Sequence, residues 1–115
     1  METQTILNGE DKGKKYDGGK PMLQLLSPIA MTEIAKVMTF GATKYGANNW
    51  REGIAWTRVV GAVLRHIFAW LGGQDLDPET GISHLAHASC GLMFLLEYET
   101  TQKNKDDRYK PNDTK

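Results

Sequence analysis

The chain has 115 residues, 40% of them hydrophobic and 24% charged, and its fourteen basic and fourteen acidic side chains cancel to a net charge of zero. That length supports one domain with one modest core, and the balanced charge gives no electrostatic footprint for a nucleic-acid polymer or a membrane surface. No apolar run approaches the roughly 18 residues of a membrane span, no apolar leader opens the chain, and the single Cys90 cannot close an internal disulfide, so a cytoplasmic location is expected.

Residues 1–20, including "NGEDKGKKYDGGK", are polar and rich in Gly and Lys, and are expected to be a flexible N-terminal segment. The folded domain is placed at 21–99. From Pro28 to Phe40 the apolar residues Ile29, Ala30, Ile34, Val37 and Met38 recur at helical steps. Ser27 suits an N-cap, Pro28 the first helical position and Gly41 a terminator. A second helix is predicted from about Thr57 to Leu71, stopped by Gly72-Gly73, with Val59, Val60, Val63, Leu64, Ile67, Phe68 and Leu71 as its apolar face.

A third helix is expected to begin near Pro78 or Thr80 and to run to about Glu99. At 100° per residue, Leu85, Leu92 and Leu96 fall on one side and Cys90 and Phe94 roughly opposite, so the helix is apolar nearly all round. Three helices can hardly surround it. The fold class is therefore all-α, a small three-helix bundle whose core is completed by oligomerisation, with a homo-oligomer expected. Cys90, set among Leu85, Ala86, Ala88, Leu92 and Met93, suits an inert packed thiol. Residues 100–115, "TTQKNKDDRYKPNDTK", offer little to bury and are expected to be a disordered or weakly docked tail.

Between the first two helices lies "FGATKYGANNWREGIAW", Phe40 to Trp56, far longer than an ordinary connector and rich in aromatics, amides and cations. Lys44, Arg51, Arg58 and Arg65 could neutralise phosphate, and Arg58 and Arg65, seven apart, share a helix face. Asn48 and Asn49 both donate and accept, as reading a base edge requires. Tyr45, Trp50 and Trp56 can stack on a base or pack as core. Each also has an ordinary reading as surface charge, turn former or core residue, but together they suggest a nucleotide pocket. "GGK" at 18–20 lacks the spacing and trailing hydroxyl of a phosphate loop.

The three histidines form the second constellation. His66 lies in the second helix, while His84 and His87 are one turn apart in the third. The intervening "GGQDLDPETG" contributes Asp75, Asp77 and Glu79. Asp75, Asp77, His84 and His87 could hold a divalent metal; His66, His84, His87 and Glu79 could serve as catalytic acid and base groups. Equally, Asp77-Pro78 is what a capped helix start looks like, and buried histidines can simply be hydrogen-bonded.

The ordered blocks "GGKP", "FGATKYGANNW" and "LRHIFAWLGGQDLDPETGISHLAHA" resemble a family of small, largely phage-encoded proteins, the N-terminal domain of dATP/dGTP diphosphohydrolases. The resemblance covers about residues 18–99. It implies a helical protein that handles purine nucleotides in phage nucleotide metabolism. By analogy with MazG-like enzymes it further implies metal-dependent release of pyrophosphate from a (d)NTP, with Mg²⁺ or Mn²⁺. Those enzymes hold metal on ExxE-type pairs, and this chain has none; Asp75, Asp77, Glu79, Glu97 and Glu99 are the acids expected near the histidines. The alternative is a non-catalytic oligomer that sequesters a nucleotide-derived host immune signal, of cyclic nucleotide or ADP-ribose type, an anti-defence role.

Overall fold

The protein's structure, a computed structural model, describes residues 13–112. It is all-α: three helices, α1 (Pro28–Tyr45), α2 (Trp56–Leu71) and α3 (His84–Thr101), with single 3-10 turns at Leu23–Leu25, Asn49–Glu52 and Lys103–Lys105. No strand occurs among the described residues, and no described helix is long and apolar enough to cross a membrane.

Ser27 caps α1 as expected, its Oγ accepting from the Ala30 amide at 3.1 Å with Pro28 at the first position. The helix does not stop at Gly41. It runs on to Tyr45 because one interior glycine costs only about 1 kcal/mol. The stop is Gly46, at φ +99, a conformation that favours glycine. The first six residues of "FGATKYGANNWREGIAW" are thus helical, and Asn49–Glu52 forms a 3-10 turn within the remainder.

The third helix also differs from expectation, starting at His84 rather than near Pro78 or Thr80. The Asp77 side chain explains why: its Oδ1 accepts from the Glu79 and Thr80 amides at 2.7 and 3.1 Å, closing a local turn instead of capping a helix. Gly81, at φ +73, then reverses the chain, and Ser83 Oγ accepts from the Leu85 amide at the true helix start.

α2 and α3 form an antiparallel hairpin. Trp56 Nε1 donates to the Gln102 carbonyl at one end, and His66 meets His84 at the other. Between them Val59, Val63 and Ala88 are buried with Trp50, Trp56 and Tyr98. The helices pack tightly at Gly91, where an added Cβ would lie 2.5 Å from Val63 Cγ2 and 3.6 Å from Val59 Cγ1. α1 lies across α3 through Val37, Ile34 and Met38 against Ala86, Cys90 and Phe94. Burial pushes the Cys90 thiol up to about 11, and its Sγ rests 3.3 Å from Met38 Sδ, so it behaves as an inert core group.

The connector's tryptophans are core residues. Trp50 is 8% exposed and stacks on Phe94 with centroids 4.5 Å apart, while the fully buried Tyr98 donates its hydroxyl to the Trp50 carbonyl at 2.6 Å. Beyond α3 the chain returns over α2. Asp107 accepts from the Thr57 amide and hydroxyl at 2.9 and 2.6 Å, and the Arg108 guanidinium lies over the Trp56 ring. Leu85, Leu92 and Leu96 remain exposed along the outer side of α3.

The Gly91 contact yields a direct test. Val63 is β-branched and held in one rotamer within a helix, so it cannot swing away cheaply. Gly91→Ala is expected to lower folding stability by about 1–3 kcal/mol from overpacking despite its better helix propensity. Adding Val63→Ala should recover part of that loss in a urea double-mutant cycle. A more stable Gly91→Ala protein would contradict the close-packed hairpin.

Candidate functional site

A cleft of about 620 Å³ runs where α1, α2, α3 and the turn before α3 meet. Its aromatic wall is Phe40, Tyr45 and Trp50; its cations are Lys44, Arg58 and Arg65; its floor includes Val59, Val63 and Phe94. His66, Asp77, Glu79, Thr80 and His87 close the end nearest the turn. Two carboxylates line it, Asp77 and Glu79.

Arg58 and Arg65 project from α2 seven residues apart, and neither pairs with a carboxylate among the described residues. Lys44, by contrast, reaches across to Glu79 at 3.2 Å. Its side chain lies 5.2 Å from the Tyr45 ring centroid, and Tyr45 first and Glu79 second hold its ammonium above the ordinary lysine range.

The histidines meet as expected, but in an arrangement that spacing alone does not specify. His66 Nδ1 lies 2.8 Å from His84 Nδ1, and the His66 ring stacks on His87 at 4.6 Å with 8° between planes. His84 is 4% exposed, and its Nε2 lies 2.6 Å from Gln74 Oε1. His87 Nε2 lies 2.7 Å from Thr80 Oγ1. Burial, and then the neighbouring rings His87 and His84, lower the His66 pKa; burial is likewise the leading cause of the lowered His87 pKa. Both favour the neutral form with an available lone pair.

Asp77 completes the group. Its Oδ2 is 3.9 Å from His66 Nδ1. Burial opposes its ionisation, but the Glu79 and Thr80 amides and the nearby His87 and His66 outweigh that and bring its pKa below the ordinary value. Asp77, His66 and His84 each offer a donor atom within 4.8 Å of the others, which suits one metal ion. Asp75 and His87, considered with Asp77 and His84 from the sequence, lie outside that group. Asp75 contributes its backbone carbonyl, which accepts from the His84 amide at 3.0 Å.

Of the proposed ligand contacts, Lys44, Tyr45, Asn49, Trp50, Arg58 and Arg65 line the cleft, whereas Asn48 and Arg51 do not. Arg51 stacks on Trp50 at 4.5 Å, donates to Asn48 Oδ1 at 3.0 Å, and pairs with Glu97 at 2.5 Å. Glu97 is therefore fixed toward the far end of α3, about 20 Å along the helix from His84 at 1.5 Å per residue. Gln74 and Thr80, which hold the outer nitrogens of His84 and His87, carry no sequence signal: an amide after Gly-Gly and a threonine before Gly81 look like ordinary turn residues.

Residues 10–108 match the family described as dATP/dGTP diphosphohydrolase, N-terminal, and the chain belongs to that family. It is 41% identical over 96 residues to a dATP/dGTP diphosphohydrolase of Salmonella phage PMBT28, an alignment covering 84% of this chain. The chain spans 33% of that relative's length. No solved structure matches significantly.

Proposed function

We propose that the cleft binds the triphosphate of a purine deoxynucleotide and that the domain acts in its hydrolysis to the monophosphate and pyrophosphate. The observation that carries this reading is the pair of guanidiniums, Arg58 and Arg65, facing the same cleft as the His66, Asp77 and His87 side chains without a carboxylate partner among the described residues. Guanidinium forks match phosphate oxygens. An aromatic wall beside them offers a face for the base. The family name supplies the substrate class.

Hydrolysis would join a water oxygen to the α-phosphorus and break its bond to the bridging oxygen, with pyrophosphate leaving. Arg58 and Arg65 would stabilise the charge that builds on the departing phosphates. Lys44 would exchange Glu79 for a phosphate, since an exposed ion pair is readily given up. The freed Glu79 carboxylate is then the cleft group placed to accept the water's proton. A divalent ion such as Mn²⁺ would supply further charge at the same phosphate, with His66, Asp77 and His84 as the donor set.

A second reading is capture of a nucleotide-derived signal without turnover. It is favoured by the small number of carboxylates in the cleft, Asp77 and Glu79. Incubation with dATP or dGTP and Mn²⁺, read by anion-exchange chromatography, separates the two. Monophosphate and pyrophosphate should appear, and Arg58→Ala with Arg65→Ala should cut the rate by at least about 100-fold. Intact nucleotide recovered from the denatured protein would favour capture, and no binding of any nucleotide would contradict both.

A second copy of the chain is the cover we propose for Leu85, Leu92 and Leu96, which lie on one face of α3 at seven- and four-residue steps and are all exposed. Light scattering at micromolar concentration should give twice the chain mass, falling to one on Leu92→Glu with Leu96→Glu. A monomeric wild-type protein would rule this out.

A further inference from the structure

We propose that His66 Nδ1, His84 Nδ1 and Asp77 Oδ2 form a facial three-ligand site for a first-row transition ion such as Mn²⁺, Co²⁺ or Zn²⁺, in preference to Mg²⁺. This deepens the reading of the cleft as a phosphate-handling site, but the metal site stands on its own geometry.

Each of the three ligands comes from a different element and is oriented by a partner outside the group. His84, the first residue of α3, sits 2.6 Å from Gln74 Oε1 through its Nε2. An amide oxygen only accepts, so Nε2 carries the proton and Nδ1 presents its lone pair inward. Asp77 spends Oδ1 on the Glu79 and Thr80 amides, which leaves Oδ2 for the histidines. His66 is held flat against His87, whose own Nε2 is fixed by Thr80 Oγ1, itself bonded to the Ile82 amide at 3.2 Å. Fixed outer partners are what orient metal-binding imidazoles and carboxylates.

The two Nδ1 atoms are 2.8 Å apart. Two facing lone pairs at that distance repel, so the contact requires either a proton on His66 Nδ1 or a cation shared by both rings. Metal–nitrogen bonds of about 2.1 Å at right angles place neighbouring ligand atoms about 3.0 Å apart. The observed spacing is close to that, and Asp77 Oδ2, at 3.9 Å from His66 Nδ1, needs to move inward by about 1 Å. Two imidazoles and one carboxylate select transition ions, whereas Mg²⁺ prefers an all-oxygen, largely hydrated shell. His84 is buried and does not line the cleft, while His66 and Asp77 do. The ion would be seated from behind by His84, with its open positions facing the nucleotide side.

The test needs no nucleotide. Chelator-stripped full-length protein is dialysed against equal concentrations of Mn²⁺, Co²⁺, Zn²⁺ or Mg²⁺, and bound metal is measured by mass spectrometry. One equivalent of transition ion per chain is expected, with no Mg²⁺ retained, and a visible Co²⁺ spectrum whose intensity saturates at one equivalent. Asp77→Asn keeps an acceptor for the Glu79 and Thr80 amides and should weaken binding at least tenfold, as should His66→Asn. Gln74→Ala should weaken it by about 10- to 100-fold through His84 orientation. Asp75→Asn should leave it unchanged. Circular dichroism confirms that each variant is folded. The proposal is overturned if the wild-type protein retains none of the three ions, or if folded Asp77→Asn and His66→Asn retain as much as wild type. Metal binding without nucleotide turnover would instead overturn the hydrolytic reading and leave this one standing.

Discussion

The whole arrangement depends on how closely α2 and α3 approach. Gly91 has no side chain, so Val63 and Val59 of α2 can press onto the α3 backbone, and any Cβ at 91 would enter the Val63 methyl. That contact fixes the register of the antiparallel hairpin. Given the register, His66 falls opposite His84 at one end and Trp56 opposite Gln102 at the other. A core this small gains little from any single residue, so register is set by fit as much as by apolar area.

The segment between the two helices turns that register into a site. It carries its own hydrogen bonds: the His84 amide to the Asp75 carbonyl at 3.0 Å, the Asp77 amide to the Ile82 carbonyl at 2.9 Å, and the Gly81 amide to the Asp77 carbonyl at 2.7 Å. These bonds hold Asp77 facing the histidines and place Glu79 within reach of Lys44 on α1. Three helices and one turn thus contribute side chains to the same cleft, and the Trp50–Phe94 stack with the Tyr98 hydroxyl holds the connector against its floor.

The sequence already carries much of this, and where it does not the reasons are physical. The helical periodicity of residues 28–40 and 57–71 and the Ser27 cap are local signals, and they survive in the structure. Both boundary differences arise where a side chain or glycine competes locally. Gly41 stays helical because nothing forces a reversal until Gly46, and Asp77 turns the chain on itself rather than starting α3. That Arg58 and Arg65 share a face was legible from their seven-residue spacing, whereas Lys44 and Tyr45, read as connector residues, reach the cleft as the last turn of α1. Arg51 and Asn48 could not be sorted from them by composition. The partner of Arg51, Glu97, is 46 residues away, and a contact at that separation is a property of the fold. Gln74 and Gly91 share this character, since each matters only for what lies opposite it.

In the proposed function, Arg58 and Arg65 would define where phosphate goes, the His66–Asp77–His84 group where charge is added beside it, and the Tyr45 side where a base lies. The most direct measurement is a crystal structure of the protein with a non-hydrolysable α,β-imido dATP and Mn²⁺. The account predicts phosphate oxygens within hydrogen-bond distance of both Arg58 and Arg65, and the adenine against the wall formed by Phe40 and Tyr45. An analogue bound outside this cleft, with both guanidiniums left facing solvent, would contradict it.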